Sequence, residues 1–475
     1  MLGQETKKRF REIVGEEFYL DSVEDLISYS YDSSVNEAMP DAVLMPGSTE
    51  QVSAIMQVAN EEEIPVTPRG AGTNLSGGTV PLKGGIVVVM TRMNRFIELS
   101  KENRYAIVEA GHTNLNLQNK AKEVGFFYPP DPASWSVSTL GGNVGENAGG
   151  PRGVKYGVTR DWILGLKAVL ADGRIINAGG VTAKNVTGID LISLFTGSEG
   201  CLGIVTEVTV KLIPLPPFQQ SIQAFFPQLD NASKTVTRII GSGIVPVALE
   251  LMDKVVVNMI EDSAHIGLPR DVEGTLLVMV DGEETICRRQ VETIVKICRE
   301  EGASAIEVAE SIEEEDKLWL GRRSAFGVMS RMMPTCILED CTVPVSNLTA
   351  MIKGIVAIGE KYNITIGVMG HAGDGNTHPM IVTDKRDKEE WERVEKAIAE
   401  MFQLAADLGG TLSGEHGIGI SKKPFLPLIM NDDARRLMAE VKSVLDPKGI
   451  LNPGKFIELN SEPFPAASGG VSERI

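Results

Sequence analysis

Cysteine is sparse and shows no pairing pattern: Cys201, Cys287, Cys298, Cys336 and Cys341 are odd in number and include no C-x-x-C pair. That argues against a disulfide framework and against a cysteine-held iron–sulfur cluster, and leaves scattered reduced thiols. No apolar run approaches the roughly 20 residues that span a bilayer. The opening residues 1–10, with Lys7, Lys8 and Arg9 among them, hold no apolar signal core. A cytoplasmic protein is expected, peripheral to a membrane only through a partner. Positive charge is in deficit, with 46 Lys and Arg against 64 Asp and Glu and a net charge of -18. An acidic surface repels phosphate backbones, so broad nucleic-acid contact is not expected. The two common nucleotide signatures are missing as well. Gly70-Ala-Gly72 lacks the third glycine of G-x-G-x-x-G, and no G-x-x-x-x-G-K-[ST] occurs, which disfavours a nicotinamide Rossmann fold and a P-loop kinase.

Histidine is equally scarce, and its distribution is informative. Of the 5 histidines, three fall in His371-Ala-Gly-Asp-Gly-Asn-Thr-His378 and Gly414-Glu415-His416-Gly417. Gly373 and Gly375 allow the two rings of the first run to fold toward one point, and Glu415 can complete a three-ligand set with open positions. That is the donor set of a catalytic metal centre. The bland alternatives are satisfied core histidines, or a turn held by Asp374 and Asn376.

A chain of 475 residues exceeds what one core usually supports, so two or more domains are expected. Residues 1–40 read as helical and polar. Ser48 with Gln51 forms a capping box ahead of a helix carrying Val52, Ile55, Met56 and Ala59. A strand near 64–69, a glycine loop at 70–79 and a strand at 86–90 follow. Next come a strand at 105–110, a helix capped by Thr113, and a second glycine loop at 141–150. Residues 163–170 and 174–178 have hairpin chemistry, and 204–213 is one more strand. From 218 onward, strands at 221–226, 247–251 and 275–280 alternate with helices at 228–242 and 283–302. The helix near 386–407 buries Trp391, Val394, Ile398, Met401, Phe402 and Ala405 as ordinary core. The histidine run falls between apolar stretches at 364–369 and 380–382, hence on a loop or sharp turn linking strands of the second domain. The tail from 460 is expected to be flexible.

Glycine loops let backbone N–H groups approach a phosphate by removing side chains and permitting positive φ. One such loop is more often a mere turn, but two in one domain favour a phosphate-bearing cofactor.

Taken together, several motifs resemble the FAD-linked D-2-hydroxyacid dehydrogenases of the vanillyl-alcohol oxidase superfamily. They are Pro68-Arg-Gly-Ala-Gly-Thr73, Gly141-Gly-Asn-Val-Gly-Glu-Asn-Ala-Gly-Gly150 with Lys155-Tyr-Gly157, the two histidine runs, and Asp446-Pro-Lys-Gly-Ile-Leu-Asn-Pro-Gly-Lys455. The resemblance implies an α+β protein: a two-subdomain FAD-binding domain over 1–217, an α+β cap domain with the metal site over 218–445, and a segment from 446 to 475 returning to the FAD domain. It implies that Arg69, Gly70, Ala71, Gly72, Thr73 and Asn74 hold the pyrophosphate. Pro130, Ser138, Thr139, Gly142, Asn147, Gly149 and Ile204 would line the flavin. Neither His nor Cys occurs in 69–79, so FAD is expected to be non-covalent. His112 replaces a small residue and reads as structural.

By the same resemblance His371, His378 and Glu415 are ligands of a divalent metal, with zinc, iron and manganese left open. Oxidising a 2-hydroxy acid requires loss of the hydroxyl proton and of a hydride, and a cation on that hydroxyl lowers its pKa. His416 is then the general base. Arg322 matches the carboxylate-binding arginine, with Arg323 adjacent, and Lys422 matches a basic residue after the Glu-His motif, although a solvated surface lysine is as good a reading. Relatives that take 2-hydroxyglutarate carry a lysine where Leu338 stands, two residues before Asp340, and a threonine in place of Phe326. Small monocarboxylates such as D-lactate or glycolate are therefore favoured over D-2-hydroxyglutarate. A flavin-free metallohydrolase and a non-catalytic flavin subunit are the readings from other classes. The expected acceptor is another protein, an iron–sulfur subunit or electron-transfer flavoprotein, and a homodimer is admitted.

Overall fold

The computed structural model describes residues 2–458, so the expected flexible tail lies outside the described residues. The chain divides into two compact units. One comprises the residues up to Gly149, Val158–Leu215 and the segment from Glu415; the other comprises Gly150–Gly157 and Pro216–Gly414.

In the first unit, Ile86–Val89 is buried at every position and lies between Ala42–Leu44 and Val66–Arg69, both parallel to it. An unbroken Ile-Val-Val-Val run suits a parallel strand covered on both faces. Tyr19–Leu20 closes that sheet antiparallel to Ala42–Leu44. The helix Thr49–Glu62 packs Val52, Ile55, Met56 and Ala59 into this core. Its Ser48 cap accepts from Gln51 N, as expected, but Gln51 Oε1 accepts from Gly47 N at 2.7 Å, so the cap reaches one residue further back than a capping box. A second sheet is antiparallel in the order Phe96–Ser100, Tyr105–Glu109, Ile204–Lys211, Ile163–Val169, Ile175–Gly179. Along Ile204–Lys211 burial alternates residue by residue, the pattern of a strand covered on one face. The expected 163–178 hairpin is present. The 1–40 region is less helical than expected: Gln4–Val14 and Val23–Ser28 are helices, with strand Tyr19–Leu20 between them.

The second unit is built on one antiparallel sheet. Its order is Ala305–Val308, Phe218–Phe226, Gly274–Gly282, Ala248–Asp253, Ile366–His371, Asn376–Thr383 and Thr335–Leu338, with Cys341–Thr342 also pairing to Asn376–Thr383. The helix Lys254–Ala264, which the sequence reading did not anticipate, buries Val256, Val257, Met259 and Ile260 beside Met369 and Met380. Asp253 starts it by accepting from Val256 N at 2.9 Å, and its other oxygen accepts from Val368 N at 2.9 Å in the adjacent strand. Lys155 and Tyr156 belong to this unit too, both bonded to the Asp281 carboxylate. No described helix is long and apolar enough to cross a membrane. Burial holds the thiols protonated, pushing Cys298 up to about 12 and Cys336 up to about 11.

Candidate active site

In the first unit a cleft is lined by Arg69, Gly70, Gly142 and Ile204 among the anticipated residues. Three glycine-bearing segments converge on it. After strand Val66–Arg69 the chain turns tightly: a Cβ at Gly70 would stand 2.3 Å from Thr139 Oγ1, and Gly72 has φ +72°. Arg69, largely buried, is held by Tyr31 O at 2.6 Å and Thr79 Oγ1 at 3.3 Å. Burial lowers its pKa, and the Asp32 charge opposes that. The expected loop at 141–150 is in large part a short helix, Leu140–Glu146, N-capped by Thr139 onto Gly142 N at 3.3 Å. Three glycines lower helix propensity, yet close packing decides here: a Cβ at Gly141 would stand 2.6 Å from that of Ala110.

The remaining anticipated residues are placed as follows. Ala71 is exposed, with Gly72, Thr73 and Asn74 half-buried beyond it. Asn74 Nδ2 donates to Glu146 Oε1 at 3.2 Å. Asn147 sits in the left-handed region at the helix end, and its Oδ1 accepts from Arg160 N. Ser138 is buried, and Pro130 O accepts from Asn114 and Gln118. Gly149 leaves space that Glu415 fills, since a Cβ there would meet Glu415 Oε2 at 2.9 Å. His112 points into the protein, Nδ1 donating to Asn94 O at 2.8 Å, as a structural residue should. The sequence reading missed the third segment, Gly197-Ser-Glu-Gly200 with Gly203, which also lines the cleft. Its signal was a third cluster of glycines directly before strand Ile204–Lys211. Gly200 is required there by its φ of +70° and by Pro68, 2.8 Å from where a Cβ would lie.

In the second unit the histidines flank the expected sharp turn, and both lie on the strands that it links. His371 ends Ile366–His371, His378 lies within Asn376–Thr383, and only the four residues between His371 and Asn376 form the turn. Gly375, with φ +80°, makes that turn possible. Antiparallel register sets Met369 opposite His378, and the two imidazoles meet edge to face with centroids 5.0 Å apart. His371 and His378 thus bring two imidazoles together from neighbouring strands of this unit. Gly414, immediately before Glu415, carries no side chain because a Cβ would stand 2.4 Å from Thr342 Oγ1.

Behind these donors stand groups that orient them. His371 Nδ1 donates to Glu250 Oε1 at 2.7 Å, and Arg322 Nε donates to Glu250 Oε2 at 2.6 Å. With Nδ1 so engaged, Nε2 is the His371 atom that can hold a cation. Burial alone would raise the Glu250 pKa, but His371 and Arg322 outweigh it and hold it below the usual value. His378 Nδ1 lies 3.8 Å from Asp340 Oδ1. Asp340 in turn accepts from Asn376 and from Ser413. Glu250 escaped the sequence reading because it sits in an apolar strand with no motif around it.

Arg322 and its neighbour part company. Arg322 is 11% exposed and joined to Glu250, whereas Arg323 is 53% exposed and bonded to Asp316. His416 is largely buried, with Nε2 3.8 Å from Glu415 Oε1 and its backbone oxygen accepting from Ser76. Lys422 is buried, not a solvated surface lysine.

Residues 40–179 match the family described as "FAD binding domain", and residues 215–456 match "FAD linked oxidases, C-terminal domain". The chain is 45% identical to glycolate oxidase subunit GlcD of Bacillus subtilis, over 96% of this chain and 97% of that one. It is 35% identical to D-lactate dehydrogenase of Anaerostipes hadrus, over 94% of each chain. Among solved structures, p-cresol methylhydroxylase with substrate bound superposes with a TM-score of 0.81 at 18% identity, covering 96% of this chain and 97% of that one. The fold is thus the FAD-binding fold of the vanillyl-alcohol oxidase type, and the protein is a flavoprotein oxidoreductase. It belongs to the FAD-linked oxidases.

Proposed function

We propose that the protein is a dehydrogenase that oxidises a small D-2-hydroxy acid, D-lactate or glycolate, to the 2-oxo acid. The observation that carries this reading is the pair His371 and His378, met edge to face and tied through Glu250 to Arg322, with Glu415 as the third proposed donor. Such a cluster suits a divalent cation, zinc, iron or manganese, that polarises the substrate hydroxyl. Non-covalent FAD, when bound, supplies the hydride acceptor at N5; Arg69 to Asn74, Pro130, Ser138, Thr139, Gly142, Asn147, Gly149 and Ile204 form its proposed binding set.

The chain's own residues divide the remaining work. His416 takes the hydroxyl proton, a task that suits an imidazole. Arg322 keeps its terminal nitrogens for the substrate carboxylate, since its Nε is engaged by Glu250, and a forked donor matches a carboxylate. Lys422 adds positive charge near Glu146 and Glu199. Leu338 and Phe326 offer no partner for a second carboxylate, which favours monocarboxylates over 2-hydroxyglutarate. Electrons leave to a protein acceptor, an iron–sulfur subunit or electron-transfer flavoprotein; the Bacillus subtilis relative is itself described as a subunit.

A substrate screen tests this reading. Flavin reduction without oxygen should be fastest with D-lactate or glycolate and slow with D-2-hydroxyglutarate. Reduction by no 2-hydroxy acid would overturn it.

A further inference from the structure

The glycine-lined cleft of the first unit holds more than backbone amides. Its wall includes two carboxylic acids, Glu146 at the end of helix Leu140–Glu146 and Glu199 in the third glycine segment. Gly417 lets them share one small space. A Cβ there would stand 2.1 Å from Glu146 Oε2 and 2.9 Å from Glu199 Oε1.

The two acids are held differently. Glu199 is fixed by backbone, its oxygens accepting from Ile418 N at 2.7 Å and Gly419 N at 2.8 Å. Glu146 Oε1 accepts from Asn74, while its Oε2 is buried and has no hydrogen-bond partner among the described residues. Asp32, Glu199 and Lys422 face Glu146, and Lys455 and Lys422 face Glu199; Arg69, on the same cleft wall, faces Asp32. Burial first, then the Glu199 charge, raises Glu146 well above the usual carboxylate range, and burial pushes Glu199 up to about 7.

A diphosphate cofactor would be repelled by two ionised carboxylates, and neither would have a proton to donate to it. One proton shared between them removes a negative charge and creates a donor. We propose that Glu146 and Glu199 hold one proton between them, and that protonated Glu146 donates a hydrogen bond from Oε2 to FAD in this cleft. At a pH where the free pair has lost that proton, cofactor binding takes one up. The proposal rests on FAD being the occupant.

Flavin-stripped protein titrated with FAD between about pH 6 and about pH 9 tests it, because a proton taken up on binding makes affinity depend on pH. In the wild type the Kd should rise with pH above neutrality, approaching about tenfold per pH unit. Calorimetry in two buffers of different ionisation enthalpy should give uptake of up to one proton. Glu146→Gln keeps a donor that needs no proton, so it should bind FAD with a flat pH profile. Glu199→Gln should move the dependence to lower pH, because the like-charged neighbour is gone. A flat wild-type profile with no proton uptake would overturn the proposal, as would Glu146→Gln retaining the wild-type slope. Protein that binds no FAD at any pH would overturn the FAD reading itself.

Discussion

His371 Nδ1 lies 2.7 Å from Oε1 of Glu250, a carboxylate with no solvent exposure. The bond sets the imidazole tautomer and leaves Nε2 as the atom that can hold a cation. Because Glu250 also holds Arg322, one buried carboxylate fixes a proposed metal ligand and a proposed substrate-binding residue together.

Glu250→Gln should therefore weaken metal and substrate binding in one step. Gln can accept from only one of the two donors, and its NH2 then faces the other. Metal affinity should fall about 10- to 100-fold, the range for altering a group behind a ligand. Stability should fall by about 1–3 kcal/mol, from one buried donor left unpaired. Competition with a chromogenic chelator, with denaturant unfolding alongside, measures both; unchanged metal affinity would remove Glu250 from the positioning role.

Arg322 and Arg323 should separate cleanly. Arg322→Lys retains charge beside Glu250 but loses the fork, so KM for a 2-hydroxy acid should rise at least tenfold while FAD content stays constant. Arg323→Ala, altering an exposed side chain bonded to Asp316, should leave KM unchanged. Steady-state kinetics of the two variants decides, and the reverse pattern would shift the carboxylate site by one residue.

Gly414→Ala should damage the metal site and spare the flavin. The new Cβ would stand 2.4 Å from Thr342 Oγ1 and 2.7 Å from Asn376 Nδ2, which pushes the following Glu415 aside. Elemental analysis should show metal lost, and the visible spectrum should show FAD retained.

Asp253 predicts a pH dependence of stability. Burial pushes it up to about 7, although it accepts from Val256 N and Val368 N. An acid whose folded pKa lies above its unfolded value of about 3.9 contributes stability that is complete below that value and lost as pH rises toward 7. The full effect is on the order of 4 kcal/mol from about three pKa units. Asp253→Asn keeps one backbone acceptor and cannot ionise. Its stability relative to the wild type should therefore improve between pH 5 and pH 8, on the order of those few kcal/mol at most. Denaturant unfolding at the two pH values checks this, and a pH-independent difference between the proteins would refute it.

How much of this was legible in the sequence differs by element. The 163–178 hairpin, the Ser48 and Thr113 caps and the Ile86–Val89 strand follow from local chemistry, and the structure has them. The histidine run was recognised as a cluster on a loop or sharp turn linking strands, and the structure has the sharp turn at residues 372–375; that strand pairing takes up His371 and His378 themselves depends on partners that local sequence does not show. The Leu140–Glu146 helix was hidden for a similar reason: its glycines serve packing against Ala110, a contact absent from local sequence. Glu250 and Glu199 were not legible, because a lone carboxylate in an apolar strand or a glycine turn gains meaning only from what the fold sets beside it.

The most direct test of the account is flavin reduction by D-lactate or glycolate under anaerobic conditions, in metal-loaded and metal-stripped samples of the same FAD-loaded protein. The account predicts bleaching of the flavin in the first sample, its loss in the second, and recovery when a divalent cation is returned. Equal bleaching in verified metal-free protein would contradict it, and would remove the His371, His378 and Glu415 cluster from the chemistry.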